Sequence, residues 1–134
     1  MSEFMVDLTA INPFDRQRRT APIEVMVDTG AEVSWLPRKA LEDIGIASEK
    51  KEQFETADNR LIERDIGFAI LTAEGYITTD EVVFAEEDDK NLLGVRTVEG
   101  FGVLIDSVNH RFVALSALPC PANRKLGKKK ENNI

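Results

Sequence analysis

Residues 26–34 read Met-Val-Asp-Thr-Gly-Ala-Glu-Val-Ser, and this run carries the strongest structural signal in the chain. Asp28 stands where an apolar strand gives way to a turn, and Gly30 allows the backbone to turn sharply and to approach another group closely. Thr29 places a short hydroxyl between them. A carboxylate on such a turn is firmly held and accessible. The simplest structural interpretation is an Asx turn, in which Asp28 only bonds the backbone that follows the strand.

The sequence on either side of this run has the pattern of a mostly-β domain. Residues 23–28 alternate between two faces, as a strand with one buried face does. A proline before residues 38–44 predicts a short helix that Gly45 closes. Further along, short apolar runs alternate with turn residues, and a second short helix is predicted over 95–99, closed by Gly100. Roughly seven or eight strands with one or two short helices indicate a small barrel or sandwich.

Length and composition narrow the possible chemistry. A chain of 134 residues fits one domain. His110 and Cys120 are the only histidine and cysteine, so an intrachain disulfide and a zinc site built from these residue types are excluded. With 24 Asp and Glu residues, an enzyme of this composition is expected to use carboxylates as its acid and base groups. We predict no metal and no cofactor.

Charge is unevenly distributed along the chain. The net charge of −7 is the balance of +4 on residues 123–134 and −11 on the rest. An acidic body disfavours nucleic acid as a partner. No apolar run approaches the roughly 20 residues of a membrane span, and the first ten residues do not have the pattern of a secretory signal. We therefore expect a cytoplasmic protein without a membrane partner.

Three segments are predicted. Residues 1–20 contain several arginines that interrupt the apolar pattern, and they are expected to form an N-terminal arm that packs on the body or pairs as an edge strand. Residues 21–119 form the folded domain. Residues 120–134 form a basic, flexible tail, because disorder concentrates at chain ends.

The run over residues 26–34 resembles the active-site motif of the retropepsin-like aspartic proteases, which is two apolar residues, Asp-Thr-Gly-Ala, an acidic or small residue, an apolar residue, and Ser or Thr. Two further features follow in the order that this family has them. A predicted hairpin over 54–63 stands where the flap would be. Residues 92–94, Leu-Leu-Gly, resemble the motif that packs under the active-site loop. The resemblance covers about residues 21–119 and is to single-domain members of the bacterial type.

The resemblance implies a small closed β-barrel that works as a homodimeric aspartic endopeptidase on an extended peptide or protein substrate. The chain has one Asp-Thr-Gly motif, so the second carboxylate would be Asp28 of a second copy related by a two-fold axis. Two carboxylates about 3 Å apart share one proton and activate a water molecule. Asp106 and Ser107 imitate a second motif, but Val108 occupies the glycine position, and Asp106 is interpreted as a polar residue at a strand end.

The same resemblance assigns roles to individual residues. Asp28 would be the catalytic residue, Thr29 would hydrogen-bond across the dimer axis, and Gly30 would offer its carbonyl to the substrate. Substrate contacts are expected from Gly30, Ala31, Glu32, Ala57 and Asp58, and structural support for the loop is expected from Leu92, Leu93 and Gly94.

Two alternatives to a protease remain open at this stage. One is a dimeric module of the same fold that binds a peptide or partner without cleaving it. The other is an unrelated β-barrel adaptor in which the Asp28 turn is structural. Flap tips in the family are often rich in glycine, whereas residues 57–60 have none, although Asn59 can adopt a positive φ. Trp35 is expected to fill the core below the loop.

Overall fold

The computed structural model describes residues 3–117, so the tail predicted over 120–134 lies outside the described residues. This part of the chain forms ten β-strands, two α-helices and one turn of 3-10 helix. In chain order the elements are β1 (Met5–Asn12), β2 (Asp15–Arg19), β3 (Ile23–Val27), β4 (Ser34–Pro37), α1 (Arg38–Asp43), β5 (Lys50–Glu55), β6 (Leu61–Ala73), β7 (Tyr76–Ala85), β8 (Leu92–Leu93), α2 (Val95–Phe101), β9 (Val103–Asp106), β10 (Arg111–Ala114) and the 3-10 turn (Leu115–Ala117).

Six strands form a partly closed ring. Neighbours follow the order β1-β3-β8-β4-β7-β6, and β6 pairs with β1 to bring the two ends together. The β3–β8 and β4–β7 pairings are parallel, whereas the other pairings of the ring are antiparallel. β2 and β5 extend the sheet beyond β1 and β6, and β9 and β10 form a separate hairpin. The prediction of a mostly-β fold with one or two short helices is confirmed.

The first strand lies inside the sheet, between β3 and β6. Val6, Leu8 and Ala10 are buried, as the inward face of a strand with alternating side chains should be. The arginine-rich segment that suggested an arm is β2, an edge strand whose residues are all exposed. Residues 5–19 are therefore part of the sheet. β2 pairs as an edge strand, which is one of the two expectations for this segment, and β1 completes the ring.

Aromatic side chains fill much of the interior. Tyr76, Phe84 and Phe101 are buried, and Phe112 packs against the core from a partly buried position. The ring centroids of Phe101 and Phe112 lie 6.1 Å apart, and each ring lies 6.2 Å from that of Tyr76. Each large apolar side chain buried in this way contributes roughly 1.5–3 kcal/mol.

Helix α1 lies where the sequence predicts it, but α2 continues past its predicted end at residue 99 to Phe101. Gly102, with φ 74°, closes the helix. Gly100 instead allows α2 to approach β7, because a Cβ at this position would overlap the side chain of Thr78. A glycine needed for close packing was thus mistaken for a helix stop. No helix among residues 3–117 is long and apolar enough to cross a membrane.

An ion-pair cluster ties the start of α1 to β6 and to the loop after β7. The Arg38 guanidinium lies 2.5 Å from Asp65 and 2.8 Å from Glu86. Ser48 donates a hydrogen bond to the other oxygen of Asp65 at 2.9 Å. The hydrogen bond from Arg38, followed by that from Ser48, lowers the pKa of Asp65 below its ordinary value.

We expect Asp65→Asn to lower the free energy of unfolding at pH 7 by ~1–2 kcal/mol, since a charge-assisted hydrogen bond is lost. A carboxyl whose pKa is lowered by folding contributes its full stability above its unfolded pKa and loses it as the pH falls through the folded pKa. The difference from wild type should therefore shrink below about pH 3.8. Urea unfolding of both proteins at pH 7, 4 and 3 measures this difference in the free energy of unfolding.

Asp43→Asn is the matched control, because Asp43 is exposed and lies 3.5 Å from an exposed lysine, Lys39. Asp43→Asn should change the free energy of unfolding by less than ~0.5 kcal/mol at every pH. An Asp65→Asn difference that does not change with pH would contradict the assigned ion pair.

Candidate active site

Asp28 directly follows β3 and begins a tight turn. Its amide donates to the Leu93 carbonyl at 3.0 Å, and its carbonyl accepts from the Ala31 amide at 3.1 Å. The Gly30 amide donates to Asp28 Oδ1 at 2.9 Å. Oδ2 has no hydrogen-bond partner among the described residues. The Asx turn is therefore present, yet it occupies only one of the two carboxylate oxygens.

Residues 92–97 lie against the loop formed by residues 28–34. β8 runs parallel to β3 and pairs with it in register. Beyond β8, the Val95 amide donates to the Ala31 carbonyl at 2.8 Å, and the Arg96 amide donates to the carbonyl of the next loop residue at 3.1 Å. The structure thus brings the Leu-Leu-Gly segment and the first turn of α2 into backbone contact with the loop.

Gly94 makes the closest approach in this contact. A Cβ on Gly94 would lie 2.5 Å from the carbonyl carbon of Val33 and 2.6 Å from its oxygen, distances that real Cβ atoms do not show. The Gly94 amide donates to the hydroxyl of Ser34 at 2.9 Å, inside the protein. Only glycine fits between the loop and α2 without moving one of them.

β5 and β6 form the predicted hairpin, with residues 56–60 at its tip. The Thr56 amide donates to the Arg60 carbonyl at 2.8 Å, which closes the turn. Asn59 has φ 64°, so the expected positive φ at a tip without glycine is confirmed.

Three polar side chains of this tip, Thr56, Asp58 and Arg60, bind one another, and we call them the tip cluster. The Thr56 hydroxyl donates a short hydrogen bond to Asp58 Oδ1, and Arg60 Nε donates to Oδ2 at 3.0 Å. The hydrogen bond from Thr56, and after it that from Arg60, lowers the pKa of Asp58. The tip cluster holds in place a turn that glycines often form in this position.

A groove of about 1060 Å³ lies between the 28–34 loop and the β5–β6 hairpin. Its lining includes the predicted site residues Asp28, Gly30, Ala31, Glu32, Ala57 and Leu92. Thr29, Asp58, Leu93 and Gly94 are not part of the lining. The structure therefore gathers most of the predicted substrate contacts in one place, whereas Asp58 is turned to its neighbours in the tip.

An aromatic pair forms the apolar part of the groove. Trp35 and Phe54 meet edge to face with ring centroids 4.9 Å apart, and both line the groove. They pack on a small buried cluster of Val33, Ile66 and Val83. Trp35 was expected in the core below the loop; it is partly buried against this cluster, and with Phe54 it also lines the groove.

The groove is acidic. Its carboxylates are those of Asp28, Glu32, Glu52, Glu55, Asp88 and Asp89, and its cations are Arg60 and Lys90. Three of the carboxylates pair with cations outside the lining. Asp28, Glu55 and Asp88 have no ion pair within residues 3–117. In the same part of the chain, no group of three His, Cys, Asp or Glu side chains could hold a metal ion.

Asp106 is engaged in the turn of the β9–β10 hairpin. Its oxygens accept hydrogen bonds from the Val108 and Asn109 amides, from the Asn109 side chain at 2.8 Å and from Arg111 Nε at 3.2 Å. These bonds, with that of the Asn109 side chain the strongest, lower the pKa of Asp106 to about 2. The interpretation of Asp106 as a polar residue at a strand end is confirmed.

A family of proteins described as aspartyl proteases matches residues 18–97 of the sequence. The chain belongs to the aspartyl protease family. The matched stretch contains the 28–34 loop, the β5–β6 hairpin and residues 92–97. A comparison with curated proteins returned no match.

Solved structures similar to this aspartyl protease family member are retropepsin-like. The retroviral protease-like domain of Ddi1 from Leishmania major is 13% identical, with 100% of each chain covered and a TM-score of 0.53. Simian foamy virus (mac) protease is 17% identical, with 71% of this chain and 91% of that chain covered and a TM-score of 0.49. A retropepsin-like aspartic protease from Rickettsia conorii is 19% identical, with 80% and 95% covered and a TM-score of 0.41. The predicted family resemblance is confirmed.

One residue of this aspartyl protease chain that contacts the loop from behind, Thr97, was missed in the sequence. Ser34 and Thr97 are fully buried with their hydroxyl oxygens 2.7 Å apart, and Thr97 donates to Asp80 at 3.1 Å. A signal was present, since Thr97 is a polar residue beside Val98 on the buried face of α2. A buried hydroxyl requires a partner, and the search for that partner leads to Asp80.

Gly94→Ala should destabilise the fold more than Gly30→Ala does. Gly94→Ala forces a Cβ into the Val33 backbone, and we expect it to lower the free energy of unfolding by ~1–3 kcal/mol. A Cβ on Gly30 meets only the Asp28 carboxylate, at 3.2 Å, so Gly30→Ala should change stability less and shift the NMR signals of the loop. Urea unfolding and amide spectra of both variants test this. Equal stability losses would contradict the tight contact at Gly94.

The tip cluster predicts a local effect of Asp58→Ala. Because its three side chains lie at or near the surface, the global free energy of unfolding should stay close to that of wild type. The Arg60 amide, which donates to Thr56 Oγ1 at 3.1 Å, should exchange with solvent faster once the cluster is broken. Asp88→Ala, at an exposed carboxylate with no ion pair among residues 3–117, is the control and should leave tip exchange unchanged. Unchanged exchange in Asp58→Ala would show that the backbone alone holds the tip.

Proposed function

We propose that the chain is a homodimeric aspartic endopeptidase in which Asp28 pairs with Asp28 of a second copy. The supporting observation is the half-occupied carboxylate, with Oδ1 held by the Gly30 amide and Oδ2 without a hydrogen-bond partner among residues 3–117, in the lining of the groove. Asp106, the nearest alternative for a second aspartate, has both oxygens engaged in its own hairpin. A two-fold axis supplies an identical second carboxylate without a second lobe.

The reaction follows from placing two such carboxylates side by side. At about 3 Å they cannot both be ionised, so they share one proton. The ionised member takes a proton from a water molecule, which attacks the peptide carbonyl, and the protonated member donates its proton to the carbonyl oxygen. Collapse of the tetrahedral intermediate then expels the amine after a proton returns to the nitrogen. The two carboxylates titrate as one unit.

Other loop residues are proposed to hold the dimer and the substrate. Thr29 is exposed next to Asp28, where its hydroxyl can hydrogen-bond across the axis. Gly30 and Ala31 line the groove and would bond the substrate backbone. Glu32 would do the same, and Arg96, 3.6 Å away, steadies its carboxylate. Residues 92–94 would act from behind, by fixing the loop backbone.

The hairpin is proposed to cover an extended peptide, which adds a strand by main-chain hydrogen bonds. Ala57 lines the groove and would lie over the substrate, whereas Asp58 would act by shaping the tip through Thr56 and Arg60. The Trp35–Phe54 pair suits an apolar substrate side chain, and the unpaired carboxylates of the groove suit basic ones.

Asp28→Asn should reduce cleavage of a diverse peptide library by about 10²–10⁴-fold between pH 3 and pH 7, because the general acid and base are lost together. Asp43→Asn, an aspartate exposed on α1, should retain wild-type rates. Mass spectrometry of the library identifies the cleaved bonds. Peptide binding without Asp28-dependent cleavage at any pH would instead establish the non-catalytic binding module.

A mixing experiment tests whether the dyad spans two copies. If dimers form at random, an equal amount of Asp28→Asn protein should reduce the activity per wild-type chain to about half, and a ninefold excess should reduce it to about a tenth. Asp43→Asn protein, added in the same amounts, should have no such effect. Activity per wild-type chain that does not respond to Asp28→Asn would refute the shared dyad.

A further inference from the structure

Asp80 on β7 is a carboxylate whose side chain is only 10% exposed, although it does not line the groove. Its Oδ1 accepts from the Glu81 amide at 2.7 Å, and its Oδ2 accepts from the Thr97 hydroxyl at 3.1 Å. The guanidinium of Arg96 lies 4.0 Å from Oδ1. The carboxylate therefore sits between β7 and the first turn of α2.

A carboxylate only accepts hydrogen bonds, and this sets the direction of every bond behind it. Thr97 has one hydroxyl proton and gives it to Asp80. The Ser34 hydroxyl, 2.7 Å from Thr97 Oγ1, must then be the donor in that contact. Its oxygen is left to accept from the Gly94 amide at 2.9 Å. The result is a series of hydrogen bonds in which each group donates to the next, from the Gly94 amide through Ser34 and Thr97 to Asp80. We call this series the relay.

Burial makes each hydrogen bond of the relay costly to lose. Ser34 and Thr97 are fully buried, so water cannot readily replace a lost partner. A buried hydroxyl without a partner has lost its hydration and gained no bond in return, which favours conformations that keep all the bonds of the relay.

The first donor of the relay, the Gly94 amide, lies next to the backbone hydrogen bonds that hold the Asp28 loop. Gly94 follows Leu93, whose carbonyl accepts from the Asp28 amide at 3.0 Å, and precedes Val95, whose amide donates to Ala31 at 2.8 Å. Any rotation of the Gly94 peptide would move these neighbouring contacts. Arg96 provides a second connection, because it lies near Asp80 and 3.6 Å from Glu32 in the groove.

We propose that Asp80 is a positioning residue for the Asp28 loop, acting through the hydroxyls of Thr97 and Ser34 on the Gly94 amide. Its effect on the loop is independent of catalysis. Its effect on turnover rests on the proposed protease function.

Thr97→Val tests the relay, because valine keeps the shape of threonine and removes the hydroxyl. The peptide amides of Gly94, Val95 and Arg96 should exchange with solvent about tenfold faster or more, relative to amides of the β6–β7 core. kcat should fall roughly tenfold, with KM changed less, because a displaced catalytic group costs rate more than binding. Thr97→Ser restores the hydroxyl and should return both quantities toward wild type.

Thr72→Val is the matched control. Thr72 also donates a hydrogen bond from a partly buried hydroxyl, to the Tyr76 carbonyl at 2.7 Å, but on the β6–β7 hairpin and without a bond to the loop. It should leave exchange at residues 94–96 and kcat unchanged. If Thr97→Val does not fold, Asp80→Asn decides, because an amide no longer imposes the direction of the relay.

The outcomes separate the two proposals. Faster exchange confined to residues 94–96 supports the relay even if neither wild type nor variant cleaves any peptide, and in that case the protease proposal alone fails. Exchange that rises equally at all amides, or exchange and kcat that stay at wild-type values in Thr97→Val or Asp80→Asn, would overturn the positioning role.

Discussion

The contact between Gly94 and the Val33 backbone is the constraint on which the rest of the site depends. A Cβ there would lie 2.6 Å from the Val33 oxygen, so the approach is open to glycine alone. This approach allows consecutive backbone groups from Leu93 to Arg96 to bond the loop that carries Asp28. It joins segments more than 60 residues apart through parallel strand pairing, which requires a long crossover. The β5–β6 hairpin belongs to that crossover, together with β4, α1 and β7, so the groove and the hairpin beside it arise from the same connection.

Ion pairs occupy some of the carboxylates and leave others without a partner. Away from the groove, Asp65 pairs with Arg38 at 2.5 Å, and Asp106, the aspartate that imitates a second motif, pairs with Arg111 of its own hairpin at 3.2 Å. In the groove, Asp28, Glu55 and Asp88 have no ion pair among the residues that the structure describes. These carboxylates line the same groove as the Trp35–Phe54 pair and are available to a ligand.

Sequence reasoning succeeded where a local pattern has one physical solution. The 28–34 loop and the hairpin tip with Asn59 at positive φ both follow from turn chemistry and strand alternation. It failed where long-range packing decided. Residues 5–12 alternate as a buried strand does, but nothing local showed that β3 and β6 would pair with them. Gly100 was misread for the same reason, since Thr78, which determines its role, lies on another element of the fold, β7.

The sequence by itself determined the family, the mostly-β class and the catalytic candidate Asp28, because a strand, an Asp-Thr-Gly turn and a following apolar residue and serine are contiguous and constrain one another. What surrounds Asp28 depends on the tertiary structure. The folded chain forms the relay from Gly94 through Ser34 and Thr97 to Asp80, and it turns Asp58 away from the groove into the tip cluster. The hydrogen bonds of the relay form only when the ring of strands brings distant segments together. The partners of Asp58 are close in sequence, but only the folded hairpin aims its carboxylate at them.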